Sequence, residues 1–194
     1  MKIVNAPTVY FPQANEICIF LAGGITNCPD WQGEVIKHIK DDIVTTLKQE
    51  MVYMVLVNPR HEKFNAEDKS ATRNQIGWEF KWLERADILS ILYSDSESVQ
   101  PIALYELGRN IVRMQMKFPA DWRDRIIISV DENYKRKEDV IVQTELATNG
   151  LVPVNVKPTD ELYTNHAAMI RRSYFSVYYR HVQFSHKYFG KEKK

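Results

Sequence analysis

Two glutamates in this chain sit where a carboxylate can act on a ligand. Glu106 lies in the run Pro101-Ile102-Ala103-Leu104-Tyr105-Glu106-Leu107-Gly108-Arg109-Asn110, which follows the apolar stretch Ile88-Leu89-Ser90-Ile91-Leu92-Tyr93 and a short polar segment. That order reads as a buried strand, a loop and a helix. Pro101 suits the first helical position, where its missing N–H would have no partner anyway. Ligands of open α/β sheets bind where loops leave the carboxyl ends of strands. Near the start of such a helix the dipole favours an ionised glutamate, which keeps it nucleophilic. A second reading is a solvated polar face, since Glu106, Asn110 and Arg113 share one side of the helix and Arg109 follows at helical spacing. Glu79 lies in the preceding helix, in the half expected nearer the same sheet edge. Two carboxylates converging on one pocket are the equipment of glycosidic-bond chemistry. One attacks the anomeric carbon, and another group protonates the leaving group or orients the sugar.

Gly23-Gly24 closes the first apolar run, where it serves either a tight turn or the close approach of a ligand to the backbone. No Gly-Lys-Ser/Thr follows it, and it does not match the G-x-G-x-x-G dinucleotide fingerprint. Trp78 and Trp82 flank Glu79 at helical spacing and are either core residues or a platform for a flat ring. Asp87, at the head of a strand, reads as a structural acceptor. The histidines have no metal-ligand spacing, and His181 and His186 read as surface or interface residues. Cys18 falls in an apolar run and Cys28 in a polar loop, so neither a disulfide framework nor a zinc site is expected. No metal or organic cofactor is expected.

The elements that must position these groups alternate between apolar runs and helix-period segments, the pattern of a mainly parallel sheet of about five strands flanked by helices. Strands are expected at Ile17 to Ala22, Val52 to Val57, Ile88 to Tyr93, Arg125 to Val130 and Val152 to Val156. The first helix should run from Trp31 to about Gln49, with Val35, Ile39, Ile43 and Leu47 inward. The stretch His61 to Lys69 reads as a charged surface loop, followed by a helix over Ala71 to Ala86 with Ile76, Phe80 and Leu83 on one face. The Glu106 helix should end near Met116, another should span Lys137 to Thr148, and a long Tyr-rich helix should run from Asp160 to about Phe184. Residues 1–157 are expected to form the α/β domain. Residues 158–194 are expected to be a helical extension, packed on that domain or at a subunit interface. The first dozen residues and Gly190 to Lys194 are expected to be loose.

Net charge is +1, from Lys+Arg 26 against Asp+Glu 25, without the basic excess of a nucleic-acid binder. A small-molecule partner is expected instead. No apolar run approaches the ~20 residues needed to span a bilayer. No signal-peptide pattern opens the chain, so a cytoplasmic location is expected.

Taken in order, several motifs resemble the nucleoside 2-deoxyribosyltransferase-like family over about residues 17 to 115. They are Phe20-Leu21-Ala22-Gly23-Gly24-Ile25 with Trp31-Gln32, then Asn58-Pro59-Arg60, Gln75, Trp78-Glu79, Leu83, Ala86-Asp87, Pro101-Ile102 and Glu106-Leu107-Gly108. The resemblance implies a flavodoxin-like fold and a glutamate nucleophile in the E-L-G motif, here Glu106. That carboxylate would attack C1′ of a 2′-deoxynucleoside or its 5′-monophosphate, and the deoxyribosyl group would pass to another base. Glu79, eight residues before Asp87, takes the position of a family aspartate. Ala22, Gly23, Gly24, Ile25, Trp31, Asn58, Arg60, Trp78, Gln100 and Tyr105 become substrate-binding candidates. For Arg60 the choice is a phosphate or base contact, or a surface pair with Glu62 or Asp68.

Members of this family commonly assemble as homo-oligomers whose sites a neighbouring subunit completes. Here the Tyr-rich C-terminal helix (Tyr163, Tyr174, Tyr178, Tyr179) would supply either that interface or ordinary packing within the chain. This chain departs from the family at Gln100, where an aspartate normally bonds the sugar six residues before the nucleophile. It departs also in Ser98-Val99-Gln100-Pro101, which replaces a glycine-containing loop, and at Ile19-Phe20, where a tyrosine is expected. Two alternatives follow: a hydrolase of nucleotides or NAD-like molecules, related in fold to TIR-type NADases, and a nucleotide-binding module without turnover.

Overall fold

The computed structural model describes residues 1–46, 53–61 and 68–189. Its centre is a six-stranded, all-parallel sheet in the order β1-β3-β2-β4-β5-β6. The strands are β1 (Lys2–Asn5), β2 (Glu16–Gly23), β3 (Tyr53–Asn58), β4 (Ile88–Tyr93), β5 (Ile126–Asp131) and β6 (Val154–Lys157). The helices are α1 (Trp31–Thr46), α2 (Lys69–Arg85), α3 (Pro101–Lys117), α4 (Lys137–Thr148) and α5 (Thr159–Phe189), and a short 3₁₀ turn, Trp122–Arg125, leads into β5. Without the edge strand β1, the remaining order is the doubly wound flavodoxin-like one, with its switch point between β2 and β4.

Alternation along the strands divides the core in two. Cys18, Phe20 and Ala22 of β2 face a cluster built with α2, α3 and α4. Ile17, Ile19 and Leu21 face the opposite cluster, built with α1 and α5. Both faces are covered, which is why the strands read as continuous apolar runs rather than as alternating ones. Cys18 is buried, and its N–H donates to Asp87 Oδ2 at 2.8 Å, so Asp87 fastens the start of β4 to β2.

Three expectations change. The sheet has six strands, because Lys2–Asn5, expected to be loose, pairs in parallel with β3 from Lys2 against Val55 to Asn5 against Asn58. A four-residue edge strand is too short for its pattern to be read. The chain then crosses the α2 face, where Trp78 Nε1 donates to the Thr8 carbonyl at 2.8 Å and Tyr10 stacks on Trp82. On α2, Leu83 is buried, but Ile76 is 60% and Phe80 49% exposed. The helix turns Trp82 inward instead, since an indole buries more apolar area than either residue. The distal end of the first expected helix, Glu62 in the expected loop, and residues 190–194 lie outside the described residues, as do the side chains of Ile43, His181 and His186.

Helix α5 packs on the sheet and on α1 through Leu162, His166, Ile170, Tyr174 and Val177, one residue per turn. Of its tyrosines, Tyr174 is fully buried, Tyr163 and Tyr178 are partly buried, and Tyr179 is 60% exposed. His166 is fully buried in this layer's interior. Its Nε2 lies 2.7 Å from Ser90 Oγ and its Nδ1 2.7 Å from Ser129 Oγ, which pins the helix to β4 and β5 at once. A neutral imidazole satisfies this pair, accepting from one hydroxyl and donating to the other. Burial without a counter-charge pushes its pKa down to about 3.

Acid should therefore weaken the fold through His166. Above pH ~6.5 the residue is neutral folded or unfolded. Below it the unfolded chain takes up a proton that the folded core refuses, at a limiting slope of about 1.4 kcal/mol per pH unit. Urea denaturation at pH 7.5 and pH 5 should give a larger acid loss for wild type than for His166→Leu. The variant should already be weaker at pH 7.5 by roughly 2–4 kcal/mol, because two buried hydroxyls lose their partner. Equal acid losses in the two proteins would exclude this role.

Candidate active site

A cavity of about 320 Å³ opens at the carboxyl edge of the sheet, at the β2/β4 switch point. Phe20, Ala22, Gly23, Gly24, Ile25 and Thr26 reach it from β2 and the loop after it, and Pro59 from the loop after β3. Ser98 and Gln100 come from the loop after β4, and Pro101, Ile102, Ala103 and Glu106 from α3. Glu79 enters from α2. The two glutamates singled out in the sequence thus line one cavity, and the solvated-face reading of Glu106 is set aside.

Glu79 is held by its own helix. Gln75, one turn earlier, donates from Nε2 to Glu79 Oε1 at 2.7 Å and to the Pro59 carbonyl at 2.8 Å. Burial raises the Glu79 pKa, and the Gln75 bond offsets part of that rise. Glu106 is pushed up to about 7, first by burial and then by the nearby charge of Glu79, with Arg109 pulling the other way. This reverses the expectation that the helix dipole keeps Glu106 ionised. The residue is the sixth of α3, the dipole fades within the first turn, and desolvation wins. Below about pH 7 the pair therefore keeps a proton that two separate, solvated carboxylates would have lost.

Gln100 is buried, and its backbone adopts a left-handed conformation (φ 48°, ψ 51°) ahead of α3. Its Oε1 accepts from the Gly24 N–H at 2.9 Å, while Nε2 donates to the Ser94 carbonyl at 2.8 Å and to Ser96 Oγ at 3.4 Å. One amide thereby locks the loop after β2 to the loop after β4. A carboxylate could accept from Gly24 but could not donate to Ser94, which is a physical reason for glutamine where the resemblance led one to expect aspartate.

The glycines serve the same close packing. Gly23 has φ 145°, and a Cβ there would run into the Leu92 carbonyl oxygen and the Trp31 ring. A Cβ on Gly24 would strike Cys28 Sγ and the Gln100 amide. Both residues still line the cavity, so the turn and the ligand wall are one feature.

The other candidates divide by position. Ile25 and Ala22 line the cavity. Trp31 is fully buried beneath it, with Nε1 donating to the Gly24 carbonyl at 3.1 Å, so it supports the floor rather than the ligand. Asn58 Oδ1 accepts from the Arg60 N–H at 3.0 Å and shapes a turn. Arg60 pairs with Asp30 at 2.9 Å and donates to Gln32 Oε1 and the Pro29 carbonyl. It thus ties the loop after β3 to the head of α1, outside the cavity lining. Asp68 is not its partner; that carboxylate caps α2 through the N–H groups of Ser70 and Ala71. Trp78 faces the N-terminal segment on another side of α2, and Tyr105 is 67% exposed.

Gln75 was not among the expected site residues, although its i,i+4 spacing from Glu79 signals the contact. Thr26, Ser98, Ile102 and Ala103 were likewise not among the site candidates, because loop and first-turn residues carry no distinguishing pattern. Among the described residues, no group of three or more His, Cys, Asp or Glu is placed to hold a metal, and no helix is long and apolar enough to cross a membrane.

A family model described as nucleoside 2-deoxyribosyltransferase like matches residues 16–120. No curated protein matches the chain. The matched stretch runs from the start of β2 past the end of α3 and contains every residue lining the cavity. With the doubly wound order and the carboxylate pair at its switch point, the match establishes that this chain belongs to the nucleoside 2-deoxyribosyltransferase-like family.

Proposed function

We propose that the protein is an N-glycosyl enzyme that cleaves the glycosidic bond of 2′-deoxynucleosides or their 5′-monophosphates and passes the deoxyribosyl group to another base. The observation that carries this reading is the pair of partly buried carboxylates, Glu79 and Glu106, in one cavity at the carboxyl edge of the sheet. In the reactive form the pair's proton lies on Glu79, the reverse of the order that burial and the Glu79 charge favour in the free site, and the ionised Glu106 oxygen attacks C1′ as the bond from C1′ to the base nitrogen breaks. The base leaves with a proton from Glu79, and a deoxyribosyl ester stays on Glu106. An incoming base then attacks C1′ and releases the Glu106 carboxylate. Its proton returns to Glu79.

The first turn of α3, Pro101 to Ala103, lines the cavity and has no side-chain cap. Free N–H groups at such a helix start favour an anion, which supports including monophosphates in the substrate class. The Gln100 lock bears on the alternative of a binding module without turnover. The family aspartate is replaced by a group that builds the cavity wall, while both carboxylates remain.

Incubation with deoxynucleosides and their monophosphates, with and without a second free base, should yield a new nucleoside only when that base is present. Free base formed without an acceptor would instead mark a hydrolase, and no product in either arm would leave a binding module. Glu106→Gln should lose at least about a thousandfold in turnover, because the nucleophile is removed. The wild-type peptide containing Glu106 should gain the mass of one deoxyribosyl group when quenched during turnover. Wild-type rates in the variant would sink the mechanism.

The same substitution should strengthen the fold in alkali. A carboxyl with a raised folded pKa loses stability as pH climbs from its unfolded value near 4.5 through about 7. Glu106→Gln should therefore be the more stable protein at pH 8, by up to about 3 kcal/mol, in chemical denaturation. For activity, a pair that works with one proton gives a bell-shaped pH profile whose alkaline limb lies near pH 7. Glu79→Gln should cost roughly a hundredfold or more and remove that limb. An unchanged alkaline limb in Glu79→Gln would rule out the proton's assignment to Glu79.

A further inference from the structure

A second concavity, of about 400 Å³, lies between α2 and the segment Pro7 to Phe11 that leads away from β1. Its walls combine aromatic rings and cations. Tyr10 stacks on Trp82, with ring centroids 6.4 Å apart, and Trp78 lies 5.9 Å from Trp82. Arg73, Lys81 and Arg85 line the same groove, and among the described residues no carboxylate lines it. None of the three forms an ion pair with a described residue. In a chain of net charge +1, three cations without an ion-pair partner among the described residues, set around an aromatic patch, form a local field rather than a general surplus.

Gly77 is the second observation. It sits mid-helix in α2, where glycine costs about 1 kcal/mol against alanine. Packing does not require it, since a Cβ at Gly77 would meet nothing within 4 Å. Gly23 and Gly24 differ in this respect, because protein atoms leave no room for a side chain at either. What Gly77 does is keep the groove open between Arg73 and Lys81, one turn to either side.

We propose that this groove is a second ligand site, for an aromatic anion of the nucleotide class. The base lies against the Trp78 and Tyr10 rings over Gly77, and the phosphate meets Arg73, Lys81 and Arg85. Flat rings stack on aromatic faces, and guanidinium groups take phosphate oxygens in pairs. The volume is within the range of small-molecule sites. The assignment does not depend on the chemistry proposed for the Glu79–Glu106 cavity.

Two indoles supply separate reporters. Trp78 Nε1–H, bonded to the Thr8 carbonyl, reads the groove, and Trp31 Nε1–H, bonded to the Gly24 carbonyl, reads the floor of the carboxylate cavity. In ¹⁵N-labelled protein, adenosine 5′-monophosphate at millimolar concentration should shift the Trp78 indole signal saturably. Inorganic phosphate alone should not shift it, and adenosine should act at least tenfold more weakly. Gly77→Leu should abolish the shift by filling the groove, with no loss of fold, since leucine is the better helix former. Arg73→Ala/Arg85→Ala should weaken binding at least tenfold. The Trp31 signal keeps its wild-type response to ligands in both variants. A Trp78 signal that stays in place, that moves equally with phosphate alone, or that moves equally in both variants would overturn the proposal.

Discussion

The cavity depends on the Gln100 amide more than on any other single contact. It accepts from the Gly24 N–H and donates to the Ser94 carbonyl, so it closes the gap where β2 and β4 send their chains to opposite sides. Those two loops have no strand hydrogen bonds to hold them, and each carries a wall of the site. The amide works because it offers donor and acceptor together in a buried place, where an unpaired polar group would cost about 1–3 kcal/mol. The close approach of Gly24, the Trp31 bond beneath it and the left-handed turn into α3 all follow from that lock. The position at which the resemblance implied a sugar-binding carboxylate here carries a structural brace.

Around this brace the protein holds two carboxylates partly buried. Burial opposes their ionisation, and the proximity of one to the other raises Glu106 further. The helix dipole and Arg109 oppose this and do not prevail, because Glu106 is beyond the first turn of α3. Such a pair weakens the folded state above its unfolded pKa. That cost is the expected companion of the proposed reaction, which needs a nucleophile and an acid within reach of the same bond. Gln75 limits the strain by giving Glu79 one fixed partner that is also tied to the Pro59 carbonyl.

The sheet's opposite face solves a different problem. Helix α5 is long and rich in tyrosine, a composition that also suits an interface, yet its inward stripe meets α1 and the sheet within the chain. His166 between Ser90 and Ser129 gives this contact a defined register, because only one rotation of α5 aims the imidazole at both hydroxyls. Trp31 joins the two faces: its ring meets His166 edge-on, and its N–H holds the floor of the cavity. The layer without catalytic candidates is in this way connected to the one that has them.

The apolar runs, the helix periods and the strand–loop–helix unit around Glu106 were legible in the sequence because they are local. Their residues bury themselves with period 2 or 3.6 whatever the rest of the chain does. The ordered motifs likewise made the family and the carboxylate pair visible. The edge strand β1 was not legible, since four residues carry no pattern until β3 lies beside them. Nor could spacing tell which candidates would touch a ligand. Arg60, Asn58 and Trp31 proved to be fastenings, while Gln75 and Ser98 reached the site unannounced. Local pattern thus set the elements other than β1, the layer architecture and the two candidate carboxylates. Long-range packing settled that they share one cavity, that Gln100 braces its rim, and that burial outweighs the helix dipole. Desolvation and hydrogen-bond partnership come from neighbours far away in the chain.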